Sequence, residues 1–416
     1  MSTEDLSRFF ISGKLGSVRG KALVRVDINV PARGGSINRN NLRLKSCAKS
    51  IEAYVKNGII PIILSHQGRK GDDDYLESME QHAQAIASLA SGVNVKYSNS
   101  LTDGATKKAV SELKPGDALL LKNVREHEDE KASFKSIEDA SNSEMVGFLS
   151  KLADFYINDA PATMHRSDTS LVGFIPVMTS YLGLQMESEL KVLEEISANM
   201  KSGKKTAIIF GGKKWEKFEY VYEIAKNKNI KILCGGVPGQ SICYATDKDS
   251  FNRESEEFIL ETGSLDTAKK MVSEFGDRII PPTDFILDDR ESTSLADLKG
   301  KRGGIADIGD DTLCKFFEAI DSAEMIIYAG PVGRYEKGYN QTIRLITRFM
   351  GVKALNYTFG GNSADSMDDI GLDRAYDLLG GKRITAGGSA LAFIAGKKLP
   401  VLDAFCGKTS VIPNPS

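Results

Sequence analysis

The chain has 416 residues, 41% of them apolar and 26% charged, with Lys+Arg 54 against Asp+Glu 56. That length exceeds what one hydrophobic core organises and implies two domains, while the near-zero charge balance carries no basic footprint for nucleic acid. An acidic start, MSTEDLSRFF, and the lack of any run of 18 apolar residues exclude a signal peptide and a membrane span, so a cytoplasmic protein is expected.

In chain order, continuous apolar runs at Ala22–Val30, Ile59–Ser65, Ala118–Val124 and Asp154–Asn158 predict a first set of strands. A second set is predicted at Thr206–Phe210, Ile230–Cys234, Met325–Tyr328, Ala354–Phe359 and Lys382–Thr385. Runs without polar alternation fit parallel strands covered on both faces. Helical patterns at Leu42–Asn57, Ser78–Ala90 and Phe218–Lys228 fall between them, which predicts an α/β fold of two doubly wound, Rossmann-like parallel-sheet domains. Over Thr179–Met200 the residues Leu182, Met186, Leu190, Leu193 and Ile196 recur at helical spacing, so a helix is expected to join the domains across a cleft. The resulting boundaries are a first domain over 1–180, the joining helix over 181–200, a second domain over 201–395, and a tail over 396–416 that pattern alone does not place. Five cysteines without CxxC spacing argue against a disulfide framework and a zinc site.

Ligands of open parallel sheets bind beyond the carboxyl ends of the strands. In the first half these exits are polar and cationic: Asp27 and Asn29 after Arg25, then His66 and Arg69, then Arg125, then His165 and Arg166. One such arginine reads best as a solvated charge, and one histidine as a core residue, but four exits in succession describe a basin for a small polyanion. In the second half the exits are glycine-rich: Gly211-Gly212-Lys213-Lys214, Gly235-Gly236, Gly330-Pro331, Gly360-Gly361-Asn362-Ser363 and Gly387-Gly388-Ser389. A single pair reads as a tight turn; five predict a nucleotide cradle in which helix N-termini face phosphate. Gly407-Lys408-Thr409 ends like a Walker A but has Leu402 in place of its first glycine, and no GxGxxG follows a strand.

The segments VRVDINVP (24–31), SHQGRK (65–70), LLLKNVR (119–125), NDAPATMHRSDTSLVGF (158–174), GGKK (211–214), DIGDDT (307–312), AGPVGRYE (329–336) and FGGNSADSMDDIGL (359–372) resemble phosphoglycerate kinases, most closely the archaeal branch. The resemblance implies reversible phosphoryl transfer between 1,3-bisphosphoglycerate and ADP, giving 3-phosphoglycerate and ATP, by a monomer in the cytoplasm with Mg²⁺ carried on the nucleotide. It implies that Asp27, Asn29, Arg43, His66, Arg69, Arg125 and Arg166 bind phosphoglycerate, and that Arg43 and Lys214 stabilise the transferring phosphoryl group. Gly235 and Gly236 would line the adenine, Pro331 and Glu336 would meet the nucleoside, and the Gly387–Ser389 turn would face the phosphates. The sequence departs from the family pattern at Asn362, where the usual metal-associated Asp is replaced, and at Ala329, Gln341, Ser389 and Phe218. A kinase for another carboxylate, or a non-catalytic sensor of a phosphorylated ligand, are the alternative readings.

Overall fold

The computed structural model describes residues 3–132, 134–213 and 217–407, apart from the side chains of Thr3, Arg33 and Asn362. The chain forms two compact units, one running from the start to Glu194 and taking in the segment from Lys398 onward, the other Glu195–Lys397.

The first unit contains β1 (Gly20–Val26), a small hairpin of β2 (Ala32–Arg33) and β3 (Ser36–Ile37), then β4 (Ile59–Leu64), β5 (Asn94–Tyr97), β6 (Asp117–Leu120), β7 (Phe155–Asp159) and β8 (Ser180–Leu182). Six of these make a sheet in the order β5-β6-β4-β1-β7-β8, every neighbouring pair parallel. The uninterrupted apolar runs follow from burial on both faces. Val24, Ile63 and Ile157 point into a core shared with Leu44 and Ile51 of the helix Leu42–Lys56, while Leu23, Ile62 and Tyr156 enter a second core with Met145 and Leu149.

The second unit contains β9 (Thr206–Phe210), β10 (Ile230–Cys234), β11 (Ile279–Ile280), then a three-stranded antiparallel sheet of β12 (Asp284–Leu287), β13 (Ser292–Ser294) and β14 (Ile305–Ile308), followed by β15 (Met325–Tyr328), β16 (Leu355–Phe359) and β17 (Lys382–Ile384). Its six-stranded sheet has the order β11-β10-β9-β15-β16-β17, again parallel throughout. Both units are thus doubly wound α/β folds.

Two expectations are corrected locally. The first strand ends at Val26 rather than Val30, because the next backbone N–H groups are taken by side chains: Ile28 donates to Ser65 Oγ (3.3 Å), Asn29 to Asp27 Oδ1 (3.1 Å) and Val30 to Gln67 Oε1 (3.0 Å). Residues 181 and 182, expected to be helical, belong to β8; the helix is Leu184–Lys201, and the division between the units falls within it. The strand is held by Tyr156 N–H on the Thr179 carbonyl and by Gly183 N–H on the Asn158 carbonyl, at 2.9 and 2.8 Å. The tail returns to the first unit through the helix Pro400–Phe405, where Val401 N–H meets the Met164 carbonyl and the Phe405 ring packs edge-on to Phe9 with centroids 5.3 Å apart.

Candidate functional site

Because the strands are parallel, their carboxyl ends share one edge of each sheet. The four polar exits of the first unit leave the contiguous strands β6, β4, β1 and β7, so residues spread over the sequence from 27 to 166 converge there. Hydrogen bonds lace the exits together. Arg43, in the first turn of its helix with its N–H held by the cap residue Asn41 (2.9 Å), donates through Nη1 to Asp27 Oδ2 (2.6 Å) and to the Asn29 carbonyl (3.0 Å). Asn29 Oδ1 accepts from Gly68 N–H (2.8 Å), and Arg125 Nη1 donates to the Gly68 carbonyl. The buried Nε groups of Arg43 and Arg125 have no hydrogen-bond partner among the described residues. Two desolvated guanidinium donors are thereby left for an incoming anion.

His66 is buried at the exit of β4, and Arg25 Nη2 lies 3.0 Å from its Nδ1. Burial, and then the charges of Arg25, Arg125, Arg166 and Arg43, hold its pKa well below the usual imidazole value. His66 is therefore neutral at physiological pH, and because Arg25 can only donate, Nδ1 is the acceptor and the ring proton sits on Nε2. Burial and the charges of Arg166, Arg25 and Arg69 lower the Arg125 pKa to about 10, against the opposing pull of Asp168. Arg69 is exposed, Arg166 lies 3.7 Å from Asp168, and His165 is half-buried on the turn before it. Lys131, absent from the sequence-based set, joins the same field: burial and the charges of Arg125 and Arg69 lower its pKa. No pattern around Lys131 distinguishes it from a surface lysine.

In the second unit the five glycine-rich exits leave the contiguous strands β10, β9, β15, β16 and β17. The glycines answer first to one another. A Cβ on Gly211 would overlap the Pro331 carbonyl and lie 2.8 Å from that of Gly330, and a Cβ on Gly235 would lie 2.5 Å from Val332 Cβ. The N–H groups of Gly212, Gly236 and Gly360 bond the carbonyls of Pro331, Val332 and Ile384 at 2.8, 2.9 and 3.0 Å, so these three donors are taken within the unit. The donors that remain are at helix starts. Gly360 and Gly387 precede the helices Gly361–Asp369 and Gly388–Ile394, and a Cβ on Gly360 would lie 2.9 Å from Gly387 Cα, so the two helices begin side by side. Their first N–H groups, on Gly361, Asn362, Ser363 and Gly388, have no acceptor within the helix. Lys217 Nζ lies 3.8 Å from the Cβ position of Gly387, a cation one residue before the position where the family pattern has lysine and this chain has Phe218. Pro331 is half-buried on the loop after β15, and Glu336 is exposed in the 3₁₀ helix Tyr335–Lys337 that follows it. Lys214 lies outside the described residues, as does the side chain of Asn362.

Residues 15–397 match the family model for phosphoglycerate kinase. The chain belongs to the phosphoglycerate kinase family. The phosphoglycerate kinase of Thermoplasma acidophilum is 30% identical over 96% of this chain and 98% of its own, and that of Thermococcus kodakarensis is 32% identical over 92% and 93%. The crystal structure of phosphoglycerate kinase from Pyrococcus horikoshii superposes with a TM-score of 0.82 at 28% identity, covering 95% of this chain and 98% of that one. Membership of this family makes the chain a phosphotransferase, a kinase.

One departure from the phosphoglycerate kinase pattern has a structural counterpart. Gln341 is buried at the start of the helix Gln341–Met350, where its side chain donates to Asp310 Oδ1 and accepts from Arg344 Nη1, both at 2.8 Å. Its N–H reaches Asp307 Oδ2 at 3.2 Å. Burial raises the Asp307 carboxyl to about 7, against two backbone hydrogen bonds that favour the ion. A carboxyl raised in the folded state favours folding while protonated, and that contribution fades as pH climbs from its unfolded value near 4 through about 7. The difference in melting temperature between Asp307→Asn and the parent should therefore shift in favour of the variant between pH 5 and 7 and level off above; a difference independent of pH would show that Asp307 does not titrate there.

Proposed function

We propose that the chain catalyses reversible phosphoryl transfer between 1,3-bisphosphoglycerate and ADP, giving 3-phosphoglycerate and ATP in the cytoplasm. The observation that carries this reading is the buried imidazole of His66 in the field of Arg25, Arg125, Arg166 and Arg43 at contiguous strand exits. A small acid bearing a carboxylate and a phosphate offers oxygens for several guanidinium forks at once, and a neutral imidazole adds a donor without adding repulsion among the arginines. Arg43 has a second task. Its Nε has no partner among the described residues, and Arg43 stands in the first turn of its helix, at the positive end, suited to charge building on the phosphoryl group in transfer. On the nucleotide side, the adjoining helix starts at Gly361 and Gly388 and the cation of Lys217 supply donors and positive charge for phosphates, and Lys214 is assigned to the transferring group. Mg²⁺ enters with the nucleotide. No covalent enzyme intermediate is required, since positioning and charge stabilisation supply the catalysis.

A coupled assay with purified protein, ATP, Mg²⁺ and 3-phosphoglycerate tests the reading: turnover is expected, whereas phosphoglycerate binding without turnover would identify a sensor. Asn362 refines the test, because an amide oxygen attracts Mg²⁺ or its water less than a carboxylate does. Asn362→Asp should move the Mg²⁺ activation curve to lower concentration without altering the KM for phosphoglycerate; superimposable curves would remove Asn362 from the metal's surroundings.

A further inference from the structure

Arg25 lies in β1 with no exposed surface, and a guanidinium so buried needs acceptors for its N–H groups. Nη1 donates to the Val26 carbonyl, Nη2 to His66 Nδ1, and Nε to Ser170 Oγ at 2.7 Å. The serine hydroxyl, accepting from Arg25, donates to Glu130 Oε1 at 2.7 Å, and Ser170 N–H donates to Glu130 Oε2 at 2.8 Å. Both oxygens of Glu130 are thus acceptors. Glu130 is 1% exposed and its Oε1 stands 3.9 Å from Arg25 Nη2; burial and the charge of Asp168 raise its carboxyl to about 7, against the pull of Arg25 and of the two Ser170 hydrogen bonds. Further bonds hold Ser170 in place: Tyr156 Oη donates to the Ser170 carbonyl (2.9 Å), and Thr169 Oγ1 donates to the Asp129 carbonyl (2.6 Å).

The two bonds that Arg25 makes to side chains, to Ser170 Oγ and to His66 Nδ1, have a fixed direction, because a guanidinium cannot accept. Reversing the His66 tautomer would set an N–H against an arginine N–H. It would also turn Nε2 into a lone pair, which an anionic ligand oxygen repels instead of binding.

We propose that Glu130 and Ser170 are positioning residues for His66: acting through Arg25, they hold its imidazole in the single tautomer that offers Nε2–H to the phosphorylated acid. The inference rests on the reading that His66 contacts that ligand. A purely structural network would give the same contacts but would leave the tautomer unmoved when loosened.

The test is ¹⁵N NMR of the full-length protein labelled in its 4 histidines, with the His66 signals assigned by their loss in His66→Gln. The parent should show His66 as one Nε2–H tautomer. Ser170→Ala, which removes the hydroxyl relay, should give a mixture of tautomers at His66 with the other histidines unchanged, and Ser170→Thr should restore the single form. The KM for phosphoglycerate should rise about tenfold in Ser170→Ala, as for loss of roughly one good hydrogen bond, with the nucleotide KM unchanged. Glu130→Gln should act in the same direction, and Ser170→Ala decides alone where that variant does not fold. A His66 tautomer unmoved in Ser170→Ala, even with a lowered melting temperature, overturns the inference. The tautomer is read without turnover, so absence of kinase activity in the parent would count against the proposed function alone.

Discussion

Arg43→Ala is expected to lower kcat by about 10³-fold while moving either KM little, the scale associated with removing an arginine that neutralises charge on a phosphoryl group in transfer. The expectation comes from how its groups are used. Nη1 is committed to Asp27 and to the Asn29 carbonyl, which fixes the guanidinium plane, and Nε is left buried and without a partner among the described residues. A donor held in place and unsatisfied in the resting protein gains most when a new negative charge appears beside it, and such a gain belongs to the transition state rather than to substrate binding. Arg43→Lys keeps the charge but loses the fork, so it should recover only part of the rate. Truncation also leaves Asp27 without its ion pair, and urea unfolding of the variant separates that structural cost from the catalytic one. A variant in which KM alone rises would make Arg43 a binding residue and remove it from the transferring group.

The central strands were legible because burial on both faces forces unbroken apolar runs, as at Thr206–Phe210 and Ile230–Cys234, where the expected and observed bounds coincide. The strands that escaped include β12 and β14, four residues each with an aspartate in the run, and others with weak versions of that signal. β5 is an edge strand reading Asn-Val-Lys-Tyr with no fully buried residue, β11 has two residues, and β13 reads Ser-Thr-Ser. The candidate site was legible where function repeats a residue type at successive strand ends. It was not legible where a partner is fixed only by tertiary contact: Ser170 meets Arg25 across 145 positions and Glu130 meets Ser170 across 40, with no spacing to mark either. The glycines show a further limit. Their positions were read correctly, but much of the reason for them is backbone meeting backbone, which composition does not separate from backbone meeting ligand.

That distinction gives the second large effect, at the junction of β9 and β15, where the chain leaves neighbouring strands toward opposite sides of the sheet. Gly211, Gly212 and Gly330 differ in what each requires. Gly330 has φ +144°, and a Cβ there would overlap the Gly211 carbonyl and stand 2.6 Å from its carbon. Gly211 has no positive φ, but its Cβ would strike the Pro331 and Gly330 carbonyls, whereas Gly212 has φ +84° with nothing nearer than Pro331 Cδ at 4.0 Å. Gly212→Ala should therefore cost only the left-handed backbone penalty, about 1–2 kcal/mol. Gly211→Ala must push two carbonyls apart and stretch the Gly212 N–H to Pro331 bond; a backbone clash of that kind should cost about 3 kcal/mol or more. Gly330→Ala carries both penalties and should be the least stable of the three, with loss of nucleotide binding accompanying the loss of stability. Urea unfolding of the variants, followed with nucleotide titration of those that fold, gives the order directly. If Gly212→Ala proved as damaging as Gly211→Ala, the close approach of the two loops would not be the reason for glycine here, and a ligand reaching the backbone at Gly212 would be the better account.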